Sequence, residues 1–296
     1  RSFAEAVKII SKCKSKLIIC GVGKSGKVAA KISATMSSVG TPSFDIAATD
    51  CSHGDLGRIS SKDILMLISN SGNTEELKNI IKYANMNKIK LISIVSNKNS
   101  YLYKSSNIKL YIPSVVDAGH NIVPTSSTTA QLALGDALSI AVMMQKKFGK
   151  LDFKRFHPAG NLGQKLKTAS EVMLVKNKIP FINENVIMKD AIKILNKKKL
   201  GILVILDLQK HISGVFTDGD LKRLIQKNKF FENEKIKKFM TRKPYIIEQN
   251  MLVADLIKQM NKRKITNVCV YDKINKKKII GVIHIHDLLK HYKNNL

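Results

Sequence analysis

The sequence predicts an α/β protein: a doubly wound parallel sheet followed by a tandem pair of smaller α+β repeats. Three observations carry that reading. Short, near-continuous apolar runs alternate with helical patterns in the first half. The second half repeats itself. The 296-residue length suits two domains or three small ones.

In the first half, "KLIIC" (16–20), "DILMLIS" (63–69), "KLISIVS" (90–96) and "NIKLYIP" (107–113) read as buried strands. Between them, "KSGKVAAKISATMSSVG" (24–40) and "NTEELKNIIKYANMNK" (73–88) carry apolar residues at helical spacing. The segment 128–149 is a long helix, apolar on most sides, which predicts burial.

In the second half, 172–224 matches 239–290. Asp190 falls on Asp255, Gly214 on Gly281 and Asp220 on Asp287. Each unit reads strand, helix, strand, strand, helix. One such unit cannot bury both faces alone, so the two are expected to pack as a pseudo-symmetric pair. The domain boundary is placed near 168–172, giving domains at 1–168, 172–228 and 239–295.

Composition narrows the function classes. Hydrophobic residues at 44% and charged residues at 25% suit ordinary packed cores, not disorder. The longest apolar runs are far shorter than the roughly 20 residues a membrane span needs. The four cysteines, Cys13, Cys20, Cys51 and Cys269, share no CxxC spacing, so no metal site or disulfide framework follows and a cytoplasmic home is expected. The chain opens at Arg1 without a Met, which suggests an N-terminal trim. A formal charge of +29 first suggests nucleic acid. However, only 6 of the 51 basic residues are arginine, and the charge is even: 24 basic against 10 acidic over 1–170, and 27 against 12 over 171–296. A lysine-rich solvated surface is the better reading, with no nucleic-acid or membrane partner.

Chemistry concentrates in the loops after the strands. "GVGKSG" (21–26) opens a helix, where glycine backbone and helix dipole favour an anion. A Walker A loop would need glycine where Ile18 stands. The string does satisfy G-x-G-x-x-G through Gly21, Gly23 and Gly26, with Asp45 at dinucleotide-fingerprint spacing. A second cradle, "SNSGNTEE" (69–76), offers Ser69, Ser71, Gly72 and Thr74 at another helix start. A dinucleotide fold does not need this second cradle. Two cradles after parallel strands point to one phosphate held at the carboxyl edge of the sheet. "PTSSTT" (124–129) joins them or only caps the long helix. Acid–base groups surround these loops: His53 and Asp55, Glu75 and Glu76, Asp117 and His120, and His157. Phosphate cradles beside a carboxylate and a histidine are what proton shuttling next to a sugar carbonyl requires.

Taken in order, "GVGKSG", "HGDLG" (53–57), "SNSGNTEE", "PTSSTT", "GDAL" and "FHPAGNLG" (156–163), followed by two repeats, resemble the D-arabinose 5-phosphate isomerases. These have a sugar isomerase (SIS) domain followed by paired cystathionine-β-synthase-type (CBS) domains. The resemblance covers nearly the whole chain. It implies interconversion of D-ribulose 5-phosphate and D-arabinose 5-phosphate, feeding Kdo synthesis for lipopolysaccharide or capsule. It also implies a homotetramer that needs no redox cofactor or metal.

Carried over by motif, Lys24, His53, Glu76 and His157 match family active-site positions. Ser25 lies in the first loop, and Ser69, Ser71 and Thr74 resemble the phosphate-binding hydroxyls. His157 is expected to enter a neighbouring subunit's site. Where the family has Glu-Ala-Cys-Pro before "PTSST", this chain has "DAGHNIV", one residue shorter, so Asp117 takes the glutamate's place. "HPAG" stands for the usual "HPGG".

The repeats are similar to CBS units that bind adenine nucleotides through G-h-h-T-x-x-D. Gly214, Thr217 and Asp220 fit in the first; the second has Gly281 and Asp287 but His284 for threonine. Either an adenine nucleotide binds this pair, or the pair is purely structural or regulatory.

The resulting expectation is an aldose–ketose isomerase working through an enediol. Asp117 or His157 is the base, and Lys24 or His53 polarises the carbonyl oxygen. Two rivals are a non-catalytic sugar-phosphate sensor on the same fold and a dinucleotide-binding oxidoreductase.

Overall fold

The computed structural model describes residues 1–157, 166–227 and 231–293, and the chain forms two compact units, Arg1–His157 and Pro158–Leu296. The first unit holds five strands, β1 (Leu17–Gly21), β2 (Ser43–Ala47), β3 (Ile64–Ile68), β4 (Lys90–Val95) and β5 (Ile108–Tyr111). All pair in parallel, in the order β2-β1-β3-β4-β5. Its helices are α1 (Ser2–Lys12), α2 (Lys24–Ser38), α3 (Ala48–Cys51), α4 (Lys78–Met86), α5 (Tyr101–Ser105), α6 (Ala118–Asn121), α7 (Ser126–Gln145) and α8 (Lys150–Phe156).

Every residue of β1 and β3 is buried, because helices cover both faces. On one face Leu17, Ile19, Met66 and Ile92 meet Ile10 of α1, Ile32 of α2 and Leu138 of α7. On the other, Ile18, Leu65 and Leu91 meet Ile80, Ile81 and Ala84 of α4. The strand order reverses at β1, whose two neighbours are β2 and β3. The loops leaving β1 and β3 therefore diverge over a crevice at the carboxyl edge of the sheet, where open α/β sheets bind their ligands.

The helix α7 extends this edge. The Ser25 hydroxyl donates to Gln131 Oε1 (3.1 Å), and Lys146 Nζ donates to the Gly40 carbonyl (2.6 Å). These two ties make α2 and α7 run parallel, with their N-termini at the same end. They pack closely because Gly135 has no side chain: a Cβ there would sit 2.1 Å from Ile32 Cδ1. The pattern of α7, apolar on most sides, predicts burial of its large apolar residues, and the structure corrects that. Its buried face is Ser127, Gln131, Gly135, Leu138, Ser139 and Val142, whereas Ile140 is 46% and Met144 70% exposed in this chain. A small-residue face is what close helix approach requires, which displaces the larger side chains outward. The sequence pattern also misses α1 and the edge strand β2, and the helix expected over 73–88 opens with a 3₁₀ turn at Glu75–Leu77 before α4.

The second unit carries two three-stranded sheets. One is β6 (Phe181–Asn183), β7 (Ile202–Leu206) and β8 (Ile212–Thr217), in that order; the other is β11-β10-β9, from β9 (Ile246–Glu248), β10 (Asn267–Tyr271) and β11 (Ile279–His284). In each, a parallel pair is followed by an antiparallel one. The repeats share a core in which Ile202, Val204 and Val215 meet Cys269, Ile279 and Val282. They also exchange leading segments. Ala169 and Met173 pack with the second repeat, and Leu174 bridges Val282. Ile236 and Met240 pack with the first, and Thr241 bridges Val215. The repeated glycines make this possible. A Cβ on Gly214 would lie 2.6 Å from the Thr241 carbonyl oxygen, and one on Gly281 would lie 2.2 Å from Met173 Sδ. Among the described residues, no helix is long and apolar enough to cross a membrane.

Candidate functional site

Three loops meet at the carboxyl edge around β1 and β3. The first is the glycine loop. Gly23 adopts a left-handed φ of 60° and is the N-cap of α2, so Lys24 and Ser25 form that helix's first turn. A Cβ on Gly21 would meet the Ser25 backbone at 2.8 Å, and one on Gly26 the Gly21 oxygen at 2.9 Å. Two of the three fingerprint glycines are thus explained by strand-to-helix packing alone. Lys24 is exposed, while Ser25 is half-buried and committed to Gln131, itself 1% exposed. The sequence reading missed Gln131; a lone glutamine on an apolar helix is the only signal it left.

The second loop follows β3. Ser69 is 3% exposed, and its Oγ accepts from the Gly72 N–H (2.9 Å) and lies 2.7 Å from Thr74 Oγ1. Ser69 therefore shapes the loop from inside. Ser71 is exposed and Thr74 half-exposed, and together with the start of the 3₁₀ turn Glu75–Leu77 they form a hydroxyl and N–H surface open to an anion. Gly72, at φ 69°, cannot be replaced cheaply: a Cβ would fall 2.2 Å from Ser100 Oγ.

The third loop precedes α7, and Asp117 organises it. Its Oδ1 accepts from the N–H groups of Thr125 (3.0 Å) and Ser127 (2.8 Å), and its Oδ2 from the Ser127 hydroxyl (2.7 Å). These bonds, led by the Ser127 N–H, hold the carboxyl below the usual carboxylate range. Asn121 Oδ1 accepts from the Asp117 N–H, and Thr125 Oγ1 from the Ala118 N–H. Gly119, His120 and Asn121 are all left-handed, which closes the turn. The carboxylate thus caps α7 and its neighbouring N–H groups.

His157 ends α8 and stacks on Phe153, with ring centroids 3.8 Å apart. Its Nδ1 lies 2.9 Å from the Phe153 carbonyl oxygen. A carbonyl only accepts, so in the neutral ring Nδ1 carries the proton and Nε2 keeps its lone pair. The rest of "HPAGNLG", residues 158–165, lies outside the described residues. His53 is exposed between α3 and the 3₁₀ turn Asp55–Arg58, in the loop after β2; Asp55 there pairs with Arg58 at 2.9 Å. Glu75 pairs with Lys78 (2.6 Å), leaving the exposed Glu76 as the open carboxylate of that turn. His120 is exposed within α6.

A cavity of about 300 Å³ lies beside the glycine loop, lined by Gly21, Gly23, Lys27, Asp45 and Thr49 among others. Asp45 lines the same cavity from the middle of the edge strand β2, opposite Ile19 of β1.

In the second unit, a cleft of about 390 Å³ runs between the repeats. Thr217 and Asp220 line it, but they close on each other. Asp220 Oδ2 accepts from the Thr217 N–H (2.9 Å) and hydroxyl (2.7 Å), and Oδ1 pairs with Arg223. His284 reaches the same cleft from the second repeat, whereas Asp287 does not line it.

Comparison with known proteins decides the family. The SIS domain family matches residues 9–141, and the CBS domain family matches 169–227 and 236–294. The chain is 38% identical over 290 residues to arabinose 5-phosphate isomerase KdsD of Yersinia pestis, covering 97% of this chain and 88% of that one. It is 34% identical over 287 residues to arabinose 5-phosphate isomerase KpsF of Escherichia coli O6:H1, covering 96% and 86%. This chain belongs to the arabinose 5-phosphate isomerase family. An Escherichia coli CFT073 protein solved in complex with arabinose 5-phosphate matches it with a TM-score of 0.52 and 38% identity, covering 53% of this chain and 84% of that one. A Bacteroides fragilis structure described as a putative phosphosugar isomerase involved in capsule formation matches with a TM-score of 0.50 and 34% identity, covering 53% and 85%. In this member of the family, the motifs at 21–26, 69–76 and 124–129 all fall at helix starts on one edge of one sheet.

Proposed function

We propose that the protein interconverts D-arabinose 5-phosphate and D-ribulose 5-phosphate, in residues 1–168, with 172–228 and 239–295 as its two CBS repeats. The observation that carries this reading is the β3 loop: Ser71, Thr74 and the start of the 3₁₀ turn Glu75–Leu77 offer an anion cradle next to the glycine loop of β1. The phosphate binds there, and its binding energy positions C1 and C2 of the sugar.

From the aldose, a base removes the C2 proton while an acid protonates O1, giving an enediol. Reprotonation at C1 and loss of the O2 proton yield the ketose. His157 Nε2 is the base, because the Phe153 carbonyl sets the tautomer and leaves the ring's lone pair on Nε2. Asp117 is a positioning residue: both its oxygens are engaged at the N-terminus of α7. Lys24 and His53 polarise the carbonyl and enediolate oxygens, and Glu76 relays protons between O1 and O2. Ser25 and Ser69 shape the site through Gln131 and Thr74.

In this reading the protein is a cytoplasmic homotetramer feeding Kdo synthesis, and His157 serves a neighbouring subunit's site. The CBS cleft takes an adenine nucleotide against Thr217 and Asp220; Asp287 lies outside that cleft. The test is an isomerisation assay of purified protein on a panel of pentose and hexose phosphates. The reading requires arabinose 5-phosphate to be the preferred aldose. Turnover of a hexose phosphate alone overturns the substrate, and no turnover with tight sugar-phosphate binding favours the sensor.

A further inference from the structure

The two repeats solve the same capping problem with different chemistry. In the first, the Thr217 hydroxyl oxygen accepts from the Asp220 N–H (3.3 Å) at the start of the helix Asp218–Gln226. In the second, His284 holds the equivalent position, and its Nδ1 accepts from the His286 N–H (3.2 Å) at the start of Ile285–Lys293. A ring nitrogen accepts only when unprotonated, so the neutral ring carries its proton on Nε2. Unlike threonine, this cap titrates.

His284 lines the cleft that Thr217 and Asp220 also line. The charged groups around it come from several elements. Asp218, Asp220 and Arg223 lie on the first repeat's last helix, Lys243 precedes β9, and Lys264 follows the helix Val253–Arg263. His286 and Asp287 lie on its own helix. Asp220 is already paired with Arg223, which leaves Lys243 and Lys264 against Asp218. Ile202, Val215 and Ile265 supply an apolar wall. Asn267, also in the lining, has a buried Oδ1 with no hydrogen-bond partner among the described residues. Burial and the neighbouring His286 push His284 below the usual histidine range, against Asp287 and Asp218, so the ring is neutral near pH 7.

We propose that this cleft is a proton-coupled site for an anionic nucleotide: the phosphate draws a proton onto His284, so affinity rises as pH falls. The proposal rests on reading the cleft as a nucleotide site. Its sign follows from linkage: a ligand that favours the imidazolium must bind more tightly where protons are more available.

The test is calorimetric titration of the full chain with ADP, and with adenosine as the uncharged probe, between about pH 8 and about pH 6. ADP affinity in the parent should rise about threefold or more relative to His284→Thr, which restores the first repeat's residue. Adenosine should show no such difference. ADP phosphate itself titrates at about pH 6, and the comparison with His284→Thr cancels that contribution. ADP binding near pH 7 should also take up more protons in the parent than in His284→Thr, read from buffers of different ionisation enthalpy. Parallel pH profiles for parent and His284→Thr, or equal proton uptake by the two, overturn the coupling while leaving the nucleotide site standing. If neither ADP nor adenosine binds at any pH, the nucleotide reading itself fails and the proposal falls with it.

Discussion

Asp117 and Ser127 are joined twice: the carboxylate accepts both the Ser127 N–H (2.8 Å) and its hydroxyl (2.7 Å). This paired contact ties the loop after β5 to the first turn of α7, and α7 in turn holds Ser25 of the glycine loop through Gln131. Asp117 is thus engaged in shaping these loops. Asp117→Asn keeps an acceptor for the backbone N–H groups, so kcat should fall less than about tenfold, against the roughly 10²–10⁴-fold expected on losing a general base. Asp117→Ala removes the cap and should cost about 0.5–2 kcal/mol in urea unfolding. A loss of kcat of about 10³-fold in a stably folded Asp117→Asn chain would make Asp117 the base.

Ser71 and Thr74 differ from Ser69 in exposure, and their variants should differ accordingly. Ser71→Ala and Thr74→Val should raise KM for the sugar phosphate, each lost charge-assisted bond being worth roughly 1.5–3 kcal/mol. Ser69→Ala removes a buried acceptor for the Gly72 N–H, so it should lower stability by about 1–3 kcal/mol as well as weaken binding. Steady-state kinetics and denaturant unfolding on the three variants separate these outcomes.

Gly72→Ala should be among the most damaging single changes in the first unit. The φ of 69° disfavours a side chain, and the new Cβ would collide with Ser100 Oγ, which accepts from the Tyr103 N–H (3.3 Å). A stability loss of more than about 1 kcal/mol and a raised KM are expected, and Gly72→Ala combined with Ser100→Gly should recover part of both.

Asp63 makes stability depend on acid. It is 2% exposed and accepts from the Ser15 hydroxyl (2.5 Å) and the Ser60 N–H (2.7 Å), with Lys16 at 3.4 Å. Burial alone would raise its pKa, but the bonds from Ser15 and Ser60 and the charge of Lys16 outweigh it and leave the carboxyl below the usual 3.8. The folded state therefore binds this proton less readily than the unfolded chain. The stabilisation is present above the unfolded pKa and is lost as pH falls through the lowered folded one. Urea midpoints taken from about pH 5 down to about pH 2.5 should drop more steeply in the parent than in Asp63→Asn, which starts less stable.

The strands β1, β3, β4 and β5 were legible because buried parallel strands are continuous apolar runs. The edge strand β2 was not: "SFDIA" leaves Asp45 and Ala47 exposed and so shows no such run. The helix α7 was legible in extent but not in orientation, because its inner face is made of Ser127, Gln131, Gly135 and Ser139 and hydropathy points the wrong way. The candidate loops could be read from their Ser, Thr and Gly content. What spacing cannot show is direction: that Ser69 turns inward, that Asp117 caps a helix, and that Phe153 sets the tautomer of His157 follow only from the folded backbone. Likewise, Gly214 and Gly281 look like part of a ligand motif in sequence, and in the structure each makes room for a segment of the other repeat.

The central claim is that His157 moves a proton between C1 and C2 of a phosphorylated pentose. Its most direct test follows D-arabinose 5-phosphate in D₂O by NMR, with the parent chain and with His157→Gln. The parent should form D-ribulose 5-phosphate and exchange deuterium at the reacting carbons, and His157→Gln should lose about 10²-fold or more of both rates while still binding the sugar phosphate. Exchange by folded His157→Gln as fast as by the parent, or no isomerisation of this sugar by the parent, would contradict the account.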